Sequence, residues 1–310
     1  MGTLHRPVLL DEVVAYLEPA EGKTLLDMTV GMAGHARALI QRGAFVIGLD
    51  RDRDSLSSAE RNLEGLQGHY LLLHGRMSQA PEILAAEGIE QVDGALIDAG
   101  VSMDQLMDPH RGFSAHSEES LDMRMDRSEP GSLTGFDVVS KHLEKDLHRV
   151  FSVVGNRREA GRVVKRIVNA RKREAIRTAA QLAELIAATM ARGRRARKID
   201  AAVYLMAIRA EVNEELTELR AGIEQASSLL SRTGNARLVV LTWNSSEHRI
   251  SRQTCRRLAN PCTCPPALPC TCGKKPVIRI LTPKLSYPRE EEVAQNPAAR
   301  SVRLNVVEKI

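Results

Sequence analysis

The 310-residue chain has no run of eighteen apolar residues, the length a helix needs to cross a bilayer. Its opening residues, MGTLHRPVLLDEVV, lack the basic-then-apolar order of a secretory signal. These absences argue against a membrane or exported protein and set a cytoplasmic one as the expectation. Cysteine is scarce: there are five, and four of them fall in PCTCPPALPCTCG. Disulfide scaffolds spread their cysteines through a small secreted fold, so this cluster is a local feature. The GxGxxG signature of pyrophosphate loops is missing, and no internal repeat is present.

What is there suits a globular protein. A 43% hydrophobic content and this length allow one large α/β domain, or one with a second folded into it. The net charge of +5 is unevenly spread. Between Gly131 and Lys198 stand 17 Lys and Arg against 6 Asp and Glu, so the rest of the chain is net acidic. A basic segment in an acidic protein suits a polyanion such as nucleic acid; a solvated helical face is the alternative.

Four apolar runs, TLLDM from Thr24, AFVIGLD from Ala44, HYLLLHG from His69 and VDGALID from Val92, are spaced like the strands of βα units. That spacing predicts a parallel sheet covered by helices. The stretch from Met103 to Gly135 is polar and aperiodic and reads as a long loop. From Asp137 to Ala191 the pattern is helical and arginine-rich. Apolar residues from Leu205 through Leu216 to Leu230 recur at three- and four-residue spacing, predicting one long helix over Ile199 to Leu230. RLVVLTW, from Arg237, reads as a fifth strand, and Asn244 with Glu247 as the cap of a following helix. PVIRIL from Pro276 and SVRLNVVEK from Ser301 read as antiparallel strands completing a mixed sheet. The expected organisation is therefore residues 1–130 and 199–310 as one α/β domain, with 131–198 as a basic helical insert.

Asp27 ends the first strand, and Gly31 and Gly34 follow in a turn that lets backbone approach a ligand. Asp50 closes the second strand, where an acid accepts hydrogen bonds from ribose hydroxyls. Asp98 closes the fourth. Acids at three strand ends suit an adenosine ligand with a cationic amino-acid moiety, which favours S-adenosylmethionine over NAD.

HRPVLLDEVV, DMTVGMAGHARALI, GLDRD, VDGALIDAGVSMDQL, RGFSA, LDMRMD and NPAARSVRL, in order from His5 to Leu304, resemble the ribosomal RNA small subunit methyltransferase H family of MraW type. The resemblance implies a class I S-adenosylmethionine-dependent fold, a Rossmann-like, mostly parallel sheet with antiparallel C-terminal strands and an inserted helical domain. It implies methylation of N4 of a cytidine in the decoding region of 16S rRNA, with the rRNA or the assembled small ribosomal subunit as partner, and leaves a homodimer open. Carried over by position, Ala33, Gly34, His35, Asp50, Met77, Asp98 and Gln105 would contact the cofactor. For the chemistry, the Asp98 carboxylate, or a nearby backbone carbonyl, would accept the amino protons and favour attack. Arg111 and Phe113 in the long loop, with a core position for Phe113 as the alternative, and Arg171, Lys172, Arg173, Arg194 and Arg195 in the basic segment, are the expected RNA contacts.

The chain also departs from that family's pattern. GMAGHA stands for the usual GGGGHS, IDAA from Ile199 for HPAT, and WNSSEHR from Trp243 for FHSLEDR, so Ile199 and Asn244 occupy two histidine positions. RGFSAHSEESLDMRMD replaces RGFSFRxDGPLDMRMD. The alternatives to a full enzyme are a weakened or inactive relative that binds rRNA, or a changed RNA target. Cys262, Cys264, Cys270 and Cys272 would suffice for zinc, yet their C-x-C spacing is not the usual C-x2-C and PPALP between them is stiff. A reduced, packed loop without metal is the expectation.

Overall fold

The computed structural model describes residues 7–154, 156–189, 201–265, 271–283 and 286–310. Along the chain, α1 (Leu10–Leu17), β1 (Thr24–Asp27), α2 (Gly34–Ile40), β2 (Phe45–Asp50), α3 (Arg53–Asn62), β3 (Tyr70–His74), α4 (Ala80–Ala86) and β4 (Gly94–Asp98) alternate. A helical run follows: α5 (Met103–Met107), α6 (Gly135–Lys141), α7 (Glu144–Val150), α8 (Arg157–Ala170), α9 (Ala179–Thr189), α10 (Ala201–Val212) and α11 (Glu215–Leu229). The last elements are β5 (Arg237–Thr242), α12 (Ser245–Ala259), β6 (Ile278–Ile280), α13 (Glu290–Gln295) and β7 (Arg303–Lys309).

The strands form one sheet in the order β3-β2-β1-β4-β5-β7-β6. β1 to β5 are parallel, and β7 runs antiparallel to both β5 and β6. All seven expected strands form, and the doubly wound, Rossmann-like class is the one expected. Period-two alternation explains the continuous apolar runs. Leu26, Ile47, Ala95, Ile97, Leu238 and Val240 pack on one face with Leu84, Leu219, Ile223 and Cys255. Leu25, Val46, Leu96, Val239 and Leu241 pack on the other with Val13, Leu17, Leu39 and Leu63. A strand covered on both faces needs apolar residues at every position.

The chain divides into two compact units, residues 1–100 with 216–310, and residues 101–215. The second is larger than the expected 131–198. The stretch taken for a long loop holds α5 and a short 3-10 turn, Pro109–Arg111. Its isolated apolar side chains, Phe113, Leu121, Met123 and Met125, join Val138, Val163, Ile167, Phe151 and Tyr204 in one core. Aperiodic sequence here encodes a packed wall, not a solvated loop.

The long helix expected over Ile199 to Leu230 is two. Ile199 lies outside the described residues; α10 ends at Val212 and α11 begins at Glu215. Between them Asn213, buried, accepts from the Met125 amide at 2.8 Å and donates to the Met123 carbonyl at 2.7 Å. Glu214 takes a left-handed φ of 53°, and Arg209 holds Glu215 through paired bonds of 2.7 and 2.8 Å. The apolar spacing runs on through the break because each helix keeps its own face.

Candidate active site

In the first unit the strand order reverses at β1, which lies between β2 and β4. Ligands of open α/β sheets bind at the carboxyl edge beside such a reversal. Three acids end strands there: Asp27 on β1, Asp50 on β2 and Asp98 on β4.

Asp27 is 2% exposed and accepts from the Thr29 amide at 3.1 Å. Burial pushes its carboxyl up to about 7; the Thr29 amide opposes this, and the Asp98 and Asp50 charges add to it. The Asp50 oxygens accept from the amides of Gly31 at 2.8 Å and Asp52 at 2.9 Å. Burial lifts its carboxyl to about 6 against those two donors. Each Asp50 oxygen keeps a lone pair for a further donor.

Asp98 is the most elaborately held. Its amide donates to Thr29 Oγ1 at 2.7 Å, and its Oδ1 accepts from Trp243 Nε1 at 2.9 Å. His35 Nδ1 stands 4.0 Å from Oδ2, while Nε2 of the same ring, facing the Val8 carbonyl at 3.0 Å, donates to it. With Nε2 protonated, only an imidazolium also carries hydrogen on Nδ1, so a His35–Asp98 ion link exists only in the charged ring. Burial raises the Asp98 carboxyl above the ordinary range, with His35 and Trp243 pulling it back. The side chain remains 26% open to solvent.

The turn after β1 is shaped by backbone conformation. Gly31 has a φ of 51° and Ala33, at the start of α2, a φ of 64°. A Cβ on Gly34 would meet the Pro7 ring at 2.8 Å. Ala33 is fully buried, so its methyl belongs to the core. Met77 follows β3, half-buried, and fills the space beside Gly222 of α11, where a Cβ would meet its Sδ at 2.8 Å. Thus the first unit gathers His35, Asp50 and Asp98 with Asp27 at the sheet edge. Sequence reasoning missed Thr29 and Trp243 as partners of Asp98. The only tryptophan of the chain, next to an expected strand end, was the available signal.

Asn244, at a position where the resemblance has histidine, is the N-cap of α12. Its Oδ1 accepts from the Ser246 and Glu247 amides at 3.0 Å each, and its amide group donates to the Glu247 carboxylate. Glu247 in turn accepts from the Trp243 amide at 2.7 Å. The expected cap is present, and it fixes the backbone of the residue that holds Asp98.

In the second unit, Gln105 is buried and closes the α5 capping box, accepting from the Ser102 amide at 3.0 Å. Two residues expected to contact RNA are buried. Arg111 is 3% exposed, donates to the Met125 carbonyl at 2.7 Å and pairs with Asp108 at 3.3 Å. Phe113 belongs to the core of the unit. Both are used up in holding the 101–134 wall. Arg171 is half-buried and donates to the Val139 carbonyl at 2.8 Å, whereas Lys172 and Arg173 are exposed. Arg194 and Arg195 lie outside the described residues. Helix α8 buries Ala160, Val163, Val164 and Ile167 and exposes Arg157, Arg158, Arg162, Lys165 and Arg166. That basic face leads directly to Lys172 and Arg173.

Among the described residues, no helix is long and apolar enough to cross a membrane.

Comparison with known proteins gives three findings. A sequence model described as the MraW methylase family matches residues 2–310. The chain is 40% identical to ribosomal RNA small subunit methyltransferase H of Syntrophotalea carbinolica, covering 99% of this chain and 98% of the relative, and 38% identical to the protein of that name from Carboxydothermus hydrogenoformans, covering 99% and 98%. A structure from Streptococcus mutans, described as a putative methyltransferase in complex with SAH, aligns over 99% of this chain and 100% of that chain, with a TM-score of 0.46 and 10% identity.

Proposed function

The chain belongs to the MraW methylase family, and we propose that it is a cytoplasmic enzyme that methylates N4 of a cytidine in the decoding region of 16S rRNA. Its methyl donor is S-adenosylmethionine, which when bound supplies a methyl group already activated on a sulfonium. The residues present fit such a ligand. Three acids crowd one sheet edge, and the Asp98 and Asp50 charges disfavour ionisation of Asp27. A ligand carrying positive charge relieves that repulsion. Asp50, oriented by two amides, offers its remaining lone pairs to a ribose diol.

The observation that carries the reading is the clamp on Asp98. A cytosine amino group is a poor nucleophile because its lone pair is delocalised into the ring. Asp98, fixed by Thr29 and Trp243 and partly open, accepts a hydrogen bond from that amino group and takes its proton as the N–C bond forms. Burial makes the carboxylate a stronger base than a solvated one. The clamp also holds the acceptor in one orientation, the alignment that a single displacement step requires.

The basic α8 face, with Lys172 and Arg173, supports RNA as the substrate through phosphate contacts, consistent with rRNA or an assembled small subunit as partner. The test is transfer of labelled methyl from S-adenosylmethionine to small subunits and to naked 16S rRNA lacking the modification, followed by nucleoside mass spectrometry. N4-methylcytidine forms with the native chain and not with Asp98→Ala. No label on either substrate, from a folded chain that binds RNA, would overturn the enzyme and leave a non-catalytic RNA-binding relative.

A further inference from the structure

In the segment between α12 and β6, Thr263, Pro265, Thr271 and the run from Gly273 to Val277 are exposed among the described residues. Where its two described limbs meet, sulfur atoms converge. The Sγ atoms of Cys262, Cys264 and Cys272 lie within 4.8 Å of one another, and those of Cys262 and Cys272 are 3.8 Å apart. The Thr271 amide donates to Cys264 Sγ at 3.4 Å, seven positions earlier in the chain.

We propose that Cys262, Cys264 and Cys272 supply three thiolate ligands of a tetrahedral zinc site, whose fourth position a water or a further donor would take. Tetrahedral zinc with bonds of ~2.3 Å sets its sulfurs about 3.8 Å apart, the separation found for Cys262 and Cys272. The wider pairs close by no more than about 1 Å to reach that edge, which side-chain rotation supplies. Zinc suits the donor set because it is borderline-soft and takes thiolate sulfur in tetrahedral sites. An amide aimed at a ligating sulfur is the outer-shell contact that such sites use to orient a ligand. Arg256 and Arg257 line the same cleft as Cys262, Arg257 pairing with Glu224, and Lys274 and Lys275 follow Cys272 in sequence. Binding releases the thiol protons to solvent and ties the two limbs together with metal–sulfur bonds.

The test uses the full chain, purified under reducing conditions, loaded with zinc and freed of excess. About one zinc per chain is expected by elemental mass spectrometry, and cobalt(II) in its place gives the sulfur-to-cobalt charge transfer and visible bands of a tetrahedral thiolate site. Cys262→Ser with Cys272→Ser loses both signals while far-UV circular dichroism stays that of the native chain. Should that variant not fold, alkylation of the native chain decides: zinc protects these three cysteines, and a chelator exposes them. No zinc above background in the fully reduced chain, full zinc retained by the folded double variant, or labelling indifferent to chelator would each overturn the site. A Cys262–Cys272 disulfide whose reduction yields no metal-binding chain would also overturn it.

Discussion

Asp27→Asn is expected to make the ligand-free protein more stable at neutral pH while weakening its hold on the methyl donor. The native carboxyl sits at about 7 in the folded chain against 3.8 when unfolded. Between those values the folded state binds the extra proton. The stability that Asp27 contributes is therefore complete below about pH 4 and is lost as pH rises through 7. At ~1.4 kcal/mol per pH unit over about three units, the ionised acid costs the folded state about 4 kcal/mol by pH 8. Asparagine never ionises, and its side-chain oxygen still accepts from the Thr29 amide, as Asp27 does at 3.1 Å.

The assay is urea unfolding of native and variant chains without ligand from pH 5 to pH 8. Carboxylates away from this edge titrate alike in both and cancel in the difference, while loss of the Asp27 charge also eases ionisation of Asp98 and Asp50. The variant gains on the native chain with each pH unit, approaching the ~4 kcal/mol bound at the alkaline end. A difference flat within about 0.5 kcal/mol across this range would refute the buried, like-charged environment from which the cost is derived. The second half of the prediction has the opposite sign. Donor affinity, measured by calorimetry at pH 8, falls in the variant, because the charge that destabilises the empty site is the one that meets a cationic ligand.

Trp243→Phe removes the indole donor that favours ionised Asp98, so the acid limb of kcat against pH moves to higher pH; an unmoved limb would break the link between them. Lys165→Ala with Arg166→Ala on the exposed face of α8 lowers the slope of log RNA affinity against log salt by roughly 1.5, leaving donor affinity intact, and an unchanged slope would remove α8 from the RNA interface. Asn213→Ala strands the buried Met125 amide and Met123 carbonyl at a cost of about 3 kcal/mol in urea unfolding, and a loss under about 0.5 kcal/mol would show that the break between α10 and α11 has another cause.

The sheet was legible because its information is local. Each strand is an apolar run ended by polar residues, and an acid at a strand end falls at the sheet edge wherever the strands are parallel. The break after Val212 was not, since Asn213 earns its place through Met123 and Met125, some ninety residues earlier. A cap or a glycine would have marked a locally encoded stop; here the helical period simply continues. The 101–134 wall hid for the same reason. Phe113, Leu121, Met123 and Met125 are spaced by no period, and their burial depends on helices that follow. Arg111 shows the limit of reading charge as exposure: its guanidinium is spent on a carbonyl and a carboxylate inside the wall. The clamp on Asp98 was half-visible, for the acid ends an expected strand while its indole donor lies 145 residues away.

The departures from the family pattern take on meaning from these contacts. Phenylalanine at the position of Trp243 would have no N–H to offer; the tryptophan gives Asp98 a donor at 2.9 Å. Histidine at the position of Asn244 would be a titratable group; the asparagine instead ties its carbonyl and amide into the cap of α12, with Glu247 reaching back to the Trp243 amide. The two changes are adjacent in sequence and joined by hydrogen bonds, so they act as one unit that positions the indole. Neither removes an acid from the sheet edge. The step assigned to Asp98 needs an oriented acceptor of raised basicity, and burial together with the Thr29 and Trp243 contacts supplies both. The chain keeps three at the same edge, including one that costs about 4 kcal/mol when ionised and ligand-free. A cationic methyl donor would relieve the repulsion that contributes to that cost.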